Sequence, residues 1–259
     1  MKKIYFVGAG PGDPELLTLK GQRLISEADA ILFAGSLVSD AAMKWAKESC
    51  KIQDSKGMTL TEITDWLIHH AVENAHVIRL QTGDPSLYGA LIEMVQPLDK
   101  AGIAIEVVPG VTSAMASAAA AIETLTLPEV TQTVIFSRVE GRTPMPQGES
   151  LRELAAHHCT LCLYLSITLL KKIKDELLIA GWSEDSVIVV VYKASWPNEE
   201  KIIRGTLATI RDDCQKAKIN SQAMIIASPT LGARDWKNLK KSKLYDAEFS
   251  HRFRNAIKT

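Results

Sequence analysis

Three times in the first 113 residues, a short apolar run ends in a loop built from glycine and proline. Residues 4–7 run into Gly8-Ala9-Gly10-Pro11-Gly12-Asp13-Pro14, residues 77–80 into Thr82-Gly83-Asp84-Pro85, and residues 106–108 into Pro109-Gly110-Val111-Thr112-Ser113. A helix-like pattern follows each loop, over about 16–28, 87–100 and 113–122. Strand, loop and helix in repetition require parallel pairing and an α/β sheet. Glycine lets backbone approach a ligand or adopt positive φ, and proline stiffens the turn. One such loop alone is an ordinary tight turn. Three at the carboxyl ends of parallel strands occupy the edge where open α/β sheets bind ligands.

The remaining elements extend this plan. Residues 30–33 read as a second strand. Thr59 and Glu62 form a capping box that opens a helix, with Ile63, Trp66, Leu67 and Ala71 on one face. The rhythm breaks over 124–132, where Pro128 and several threonines intervene. Strand-like runs then follow at 133–136, 160–165, 187–192, 202–204 and 223–227, with helical patterns at 149–156, 169–180 and 207–217. The closer strand spacing predicts a more mixed sheet. The expectation is two α/β domains, 1–123 and 133–234, joined by a linker at 124–132 and enclosing a cleft. Residues 235–259, with seven Lys or Arg, form a basic, solvated tail.

Charge excludes some partners. Lys plus Arg and Asp plus Glu are 30 each, so neither nucleic acid nor an anionic membrane is favoured. No run approaches the roughly 20 apolar residues of a membrane span. Four cysteines make no disulfide framework, and the cytosol is the expected compartment. Cys159 and Cys162 fall on a strand, where residues three apart face opposite ways, so no metal site is expected there. The first loop departs from the dinucleotide fingerprint, because Asp13 stands where a third glycine belongs and Pro11 removes an N–H. No Gly-Lys-Ser/Thr, Gly-x-Ser-x-Gly or His-Glu-x-x-His occurs, and the six histidines lie away from the glycine loops.

Several side chains merit two readings. Asp84 either accepts hydrogen bonds from a ligand or caps the helix expected near Leu87. Arg138 and Arg142 either pair with Glu140 on the surface or grip substrate carboxylates in the two-pronged way a guanidinium allows. Lys193 and Trp196 offer charge and a stacking face, or a packed aromatic at a strand end. No catalytic acid or base can be singled out, which suits a reaction whose driving force resides in a cofactor.

The three loops in order, with Tyr88-Gly89 after the second and Val108 before the third, resemble the tetrapyrrole methylase family over about residues 3–230. Phe33-Ala34-Gly35-Ser36-Leu37-Val38, residues 127–133 (Leu-Pro-Glu-Val-Thr-Gln-Thr) and Glu140-Gly141-Arg142-Thr143-Pro144 look like its branch that methylates precorrin-4, or cobalt-precorrin-4, at C-11. The uroporphyrinogen-III branch usually carries Asp where Gly35 stands. The resemblance implies two α/β domains, S-adenosyl-L-methionine as methyl donor, a cobalamin-pathway tetrapyrrole as substrate and a homodimer. By the same resemblance Pro11, Thr82, Gly83, Asp84, Leu87, Thr112, Ser113, Leu165 and Ala194 would contact the cofactor, with the stretch Ala227-Ser228-Pro229 nearby. Arg138, Arg142 and Lys193 remain the candidates for the substrate. The alternatives are another branch of the family or a non-catalytic nucleotide-binding α/β module.

Overall fold

Runs of Ile, Val, Leu and Phe too short for helices form the buried strands of a computed structural model that describes residues 2–35, 37–73, 76–239 and 242–256. Ser36 of the 33–38 motif and Lys240, Lys241 and Lys258 of the basic tail lie outside the described residues. The chain divides into two compact units. One comprises Met1–Ser117 and Lys193–Lys201, the other Ala118–Tyr192 and Ile202–Thr259. The segment Lys193–Lys201 therefore belongs with the first unit although it follows the third strand-forming run of the second half.

In the first unit β1 (Lys3–Gly8), β2 (Ala30–Phe33), β3 (Lys51–Asp54), β4 (Val77–Gln81) and β5 (Ala104–Val108) form one sheet in the order β3-β2-β4-β1-β5. Every pairing is parallel. Side chains alternate between faces. Val7, Ile31, Ile78 and Leu80 pack with Leu24 and Ile25 of α1 (Leu19–Glu27). Ile4, Phe6, Leu32 and Val77 pack on the other side with Leu67 of α2 (Leu60–Glu73) and with Met94 and Leu98 of α3 (Leu91–Lys100). The helices that follow the adjacent strands β1 and β4 thus cover opposite faces, which makes the β1–β4 boundary the topological switch point.

Two differences from the sequence reading have physical causes. β3 has only Ile52 as an apolar residue and sits exposed at the sheet edge, so it carries no buried-strand signature. The helix expected from 87 begins at Leu91, because Tyr88 (φ 54°) and Ala90 (φ 49°) take left-handed backbone and extend the preceding loop. The Thr59–Glu62 capping box is present, with Thr59 N–H donating to Glu62 and Glu62 N–H to Thr59 Oγ1. Unit one ends within α4 (Ser113–Ala121), which starts directly at the third loop.

The second unit has β6 (Val134–Arg138), β7 (Thr160–Tyr164), β8 (Val187–Tyr192), β9 (Lys201–Thr206) and β10 (Ala223–Ala227), ordered β6-β7-β10-β8-β9. It is mixed: β6 and β7 run parallel, while β10 is antiparallel to both β7 and β8. Its core gathers Leu161, Leu163, Val190 and Ile225 with Leu151 and Ala155 of α5 (Leu151–Ala155), Leu170, Ile173 and Leu177 of α6 (Leu170–Ile179), and Ile210 and Cys214 of α7 (Ile210–Lys216). A buried hydroxyl chain ties its ends. Thr160 donates to Leu125 O at 2.7 Å and meets Ser228, Ser228 meets Thr230 at 2.9 Å, and Thr230 donates to Thr124 O at 2.6 Å. The tail from 235 shows one 3-10 turn, Lys243–Tyr245, and an isolated His251–Arg254 bridge among its described residues.

Candidate functional site

Parallel register sets Gly8 opposite Gln81 and Val7 opposite both Leu80 and Val108, so the three glycine loops leave the sheet at one level. There they interlock through backbone. Gly10 N–H donates to Gly83 O at 3.3 Å, Gly83 N–H to Gly10 O at 2.8 Å, and Ala9 N–H to Gln81 O at 2.7 Å. A Cβ on Gly8 would stand 2.5 Å from Gly83 O and 2.7 Å from Gly110 Cα, and one on Gly110 would stand 2.1 Å from Gly83 O. Gly10 and Gly83 also take positive φ, 72° and 59°. Three strands thus deliver three glycines to one spot that no side chain can share.

Asp84 joins the second loop to the third. Its Oδ2 accepts from Gly110 N–H at 2.9 Å, and its Oδ1 accepts from Ser86 N–H at 2.8 Å and from the Ser86 hydroxyl. Partial burial opposes ionisation, but the three donors outweigh it and hold the carboxyl below its ordinary range. Asp84 does not cap the following helix, whose N-cap position is Ala90. Thr82 Oγ1 donates to Leu37 O at 3.3 Å, Leu87 N–H closes a turn on Asp84 O at 3.2 Å, and Thr112 and Ser113 lie where α4 begins.

The segment that returns to this unit lies on the first loop. Trp196 Nε1–H donates to Pro11 O at 2.9 Å, and Asp13 N–H donates to Ser195 Oγ at 3.0 Å. Lys193 is bonded to Glu199, and its ammonium lies 4.5 Å from the Trp196 ring centre. Ala194 between them is buried. Sequence reasoning placed Lys193 and Trp196 at a strand end but missed the contact of Trp196 with the glycine loop. Gly12 was the available signal, since a Cβ there would meet Trp196 Cδ1 at 2.1 Å.

A second feature missed from sequence lies under the turn after β2. Arg79 is buried on β4, donating to Ser55 Oγ at 2.9 Å and Leu32 O at 3.4 Å. Burial brings its pKa down to about 10, against the pull of Asp54. Asp54 Oδ1 in turn accepts from Gly35 N–H at 2.9 Å, and a Cβ on Gly35 would meet Asp54 Oδ2 at 2.2 Å.

Leu165, Arg138 and Arg142 belong to the second unit. Leu165 is exposed with φ 54°. Arg138 closes its own loop, donating to Thr143 O at 3.2 Å and Pro144 O at 2.6 Å. Arg142 is exposed and has no hydrogen bond or ion pair among the described residues. Glu140 pairs with Lys172 at 3.3 Å. Ser228 turns its hydroxyl into the buried chain described above. All four cysteines are free thiols, and burial pushes Cys162 up to about 12. Among the described residues no cluster of His, Cys, Asp or Glu could hold a metal, and no helix is long and apolar enough to cross a membrane.

Comparison with known proteins agrees with this arrangement. The sequence profile of the tetrapyrrole (corrin/porphyrin) methylases matches residues 3–211. The chain is 47% identical over 257 residues to the cobalt-precorrin-4 C(11)-methyltransferase of Priestia megaterium, covering 99% of each. It is 41% identical to the precorrin-4 C(11)-methyltransferase of Pseudomonas aeruginosa, covering 97% of this chain and 98% of that one. An X-ray structure of a cobalt precorrin-4 methyltransferase, a cobalamin biosynthetic enzyme, superposes with a TM-score of 0.85 at 48% identity, over 88% of this chain and 95% of the other. The uroporphyrin-III C-methyltransferase of Thermus thermophilus, crystallised with S-adenosylhomocysteine, gives 0.75 at 30% identity, over 91% and 96%. With the three loops found interlocked in the order the resemblance required, the chain belongs to the tetrapyrrole methylase family.

Proposed function

We propose that this chain is an S-adenosyl-L-methionine-dependent methyltransferase that methylates precorrin-4 or cobalt-precorrin-4 at C-11 during cobalamin biosynthesis. The observation that carries the reading is the convergence of Gly8, Gly83 and Gly110, whose backbones interlock three loops at the switch point of a parallel sheet, the edge where such sheets bind ligands. Family membership and the near-complete match to C-11 methyltransferases supply the substrate class.

The residues suit the donor. Pro11, Thr82, Gly83, Asp84, Leu87, Thr112, Ser113 and Ala194 would hold it, mostly by backbone. Asp84, kept ionised by its donors, sets a negative charge among the loops, which favours a cationic sulfonium compound over a polyphosphate. When bound, S-adenosyl-L-methionine would supply a methyl already activated by positive sulfur, open to in-line attack by an electron-rich ring carbon with neutral S-adenosylhomocysteine as the leaving group. The protein contributes position and exclusion of water. Arg142, exposed and unpaired among the described residues, is free to grip a carboxylate of the substrate, and Arg138 shapes the loop that presents it.

The reading includes a cytosolic homodimer, supported by the family and by exposed apolar side chains such as Ile92 and Met115. Light scattering of the purified protein tests the dimer. The activity is tested by incubating the protein with methyl-labelled S-adenosyl-L-methionine and precorrin-4, cobalt-precorrin-4 or uroporphyrinogen III. Label at C-11 of a corrin precursor is the expected result. Label only on uroporphyrinogen III would move the chain to a different branch.

A further inference from the structure

Asp13 caps the turn that follows it, its Oδ1 accepting from Glu15 N–H at 2.8 Å, but the preceding residues 11 and 12 have little means of holding their own shape. Pro11 lacks an N–H, Gly12 lacks a side chain, and Gly10 is already committed to Gly83. Both carbonyl and amide of this stretch are instead met by residues about 180 positions away. Trp196 donates to Pro11 O at 2.9 Å, and Ser195 accepts from Asp13 N–H at 3.0 Å, so the two bonds bracket Gly12. The indole itself fills the space above Gly12, with Nε1 2.5 Å from where a Cβ would stand.

The segment that makes these contacts is held in a special conformation. Lys193, Ser195 and Asn198 all take left-handed backbone, φ 46°, 65° and 63°, although none is glycine. Such outliers persist only where the surroundings fix them, and they gather at sites where shape has a use. Here the surroundings are Glu200, which accepts from Ser195 N–H at 2.6 Å, Glu199, which pairs with Lys193, and the turn from Trp196 N–H to Lys193 O at 2.9 Å.

We infer that Trp196 and Ser195 are positioning residues: they fix the curvature of the first glycine loop and so set the affinity for the methyl donor, acting through Pro11 and Asp13 and not as a stacking face for the tetrapyrrole. This rests on the reading that the glycine loops hold S-adenosyl-L-methionine. Trp196→Phe keeps most of the ring and removes the donor. The dissociation constant for S-adenosylhomocysteine, measured by calorimetry, rises about tenfold, the factor for one hydrogen bond lost from a ligand-bearing loop. KM for the methyl donor rises with it, KM for the tetrapyrrole stays at the wild-type value, and the unliganded protein melts within about 2 °C of wild type. Ser195→Ala moves the same constants in the same direction. Unchanged S-adenosylhomocysteine affinity in Trp196→Phe overturns the inference, as does a rise in tetrapyrrole KM alone. Asp84→Ala, measured beside it, separates the two levels. If Asp84→Ala weakens binding and Trp196→Phe does not, only the latch fails. If neither does, the cofactor reading of the loops falls as well.

Discussion

At the carboxyl edge of the first sheet, backbone meets backbone. In the second unit, side chains tie the loops instead. Gly8 and Gly110 pack so closely on the Gly83 carbonyl that neither has room for a Cβ, and Asp84 reaches across from the second loop to the third. The second unit closes its ends with buried hydroxyls at Thr160, Ser228 and Thr230, and with Arg204, which bonds to Glu123 and to Ala121 O. Its glycine in the 140–144 motif, Gly141, has only Leu169 Cδ1 at 3.4 Å from a built Cβ. The contrast teaches where each unit invests its constraint. The first packs main chain against main chain at a sheet edge, which brings backbone polar groups of three loops together. The second spends its polar groups on its own connections.

Substituting the glycines breaks this comparison most directly. Gly110→Ala forces the second and third loops apart and costs about 1–3 kcal/mol of stability, as overpacking does, while S-adenosylhomocysteine binding is lost in calorimetry. Gly141→Ala, placed in the open, shifts stability by less than about 0.5 kcal/mol and leaves that binding intact. Equal behaviour of the two variants would erase the distinction.

Asp84→Ala comes next. It strips Gly110 N–H and Ser86 of a charged acceptor and weakens S-adenosylhomocysteine by about 1–3 kcal/mol. The same bonds give a pH signature. Because the folded carboxyl titrates below its unfolded value, its contribution is complete above the ordinary carboxylate range and fades as pH falls through the folded pKa. Wild type therefore loses stability on acidification more steeply than Asp84→Asn, and parallel acid-melting curves would contradict the bridging role.

In the second unit, Ser228→Ala interrupts the hydroxyl chain and leaves Thr160 and Thr230 one partner short, a cost of about 1 kcal/mol in chemical denaturation. S-adenosylhomocysteine affinity is expected to hold, so a large loss would mean that Ser228 serves the ligand. The smallest structural effect belongs to Arg142→Ala, which removes an exposed side chain. Its melting temperature is unchanged, while KM for the tetrapyrrole rises severalfold, and Arg142→Lys recovers only part of the loss. Wild-type kinetics would reduce Arg142 to surface charge.

The difference between the units also explains what could be read from sequence. Glycine and proline act within a few residues, so the loops at 8–14, 82–85 and 109–113 were visible as motifs and their strands as short apolar runs. Register then places them together without further information. β3 was invisible because an exposed edge strand needs no apolar face. The late start of α3 depends on left-handed backbone at Tyr88 and Ala90, residues whose type does not advertise it. Contacts such as Trp196 on Pro11, Asp54 on Gly35 and Arg79 on Ser55 join distant positions, and no local pattern encodes them. Within the site, the motif identified Asp84 but not its task, which required seeing Gly110 N–H beside it.

The central claim is that the interlocked glycine loops are where the methyl donor binds. Amide hydrogen exchange with and without saturating S-adenosylhomocysteine tests it residue by residue. Added protection is expected in peptides covering 8–14, 82–88 and 109–117, with 193–198 following through its hold on the first loop, while peptides from β3 and α7 exchange as before. Protection that spares all three glycine loops, with S-adenosylhomocysteine bound, would place the cofactor elsewhere and contradict the account.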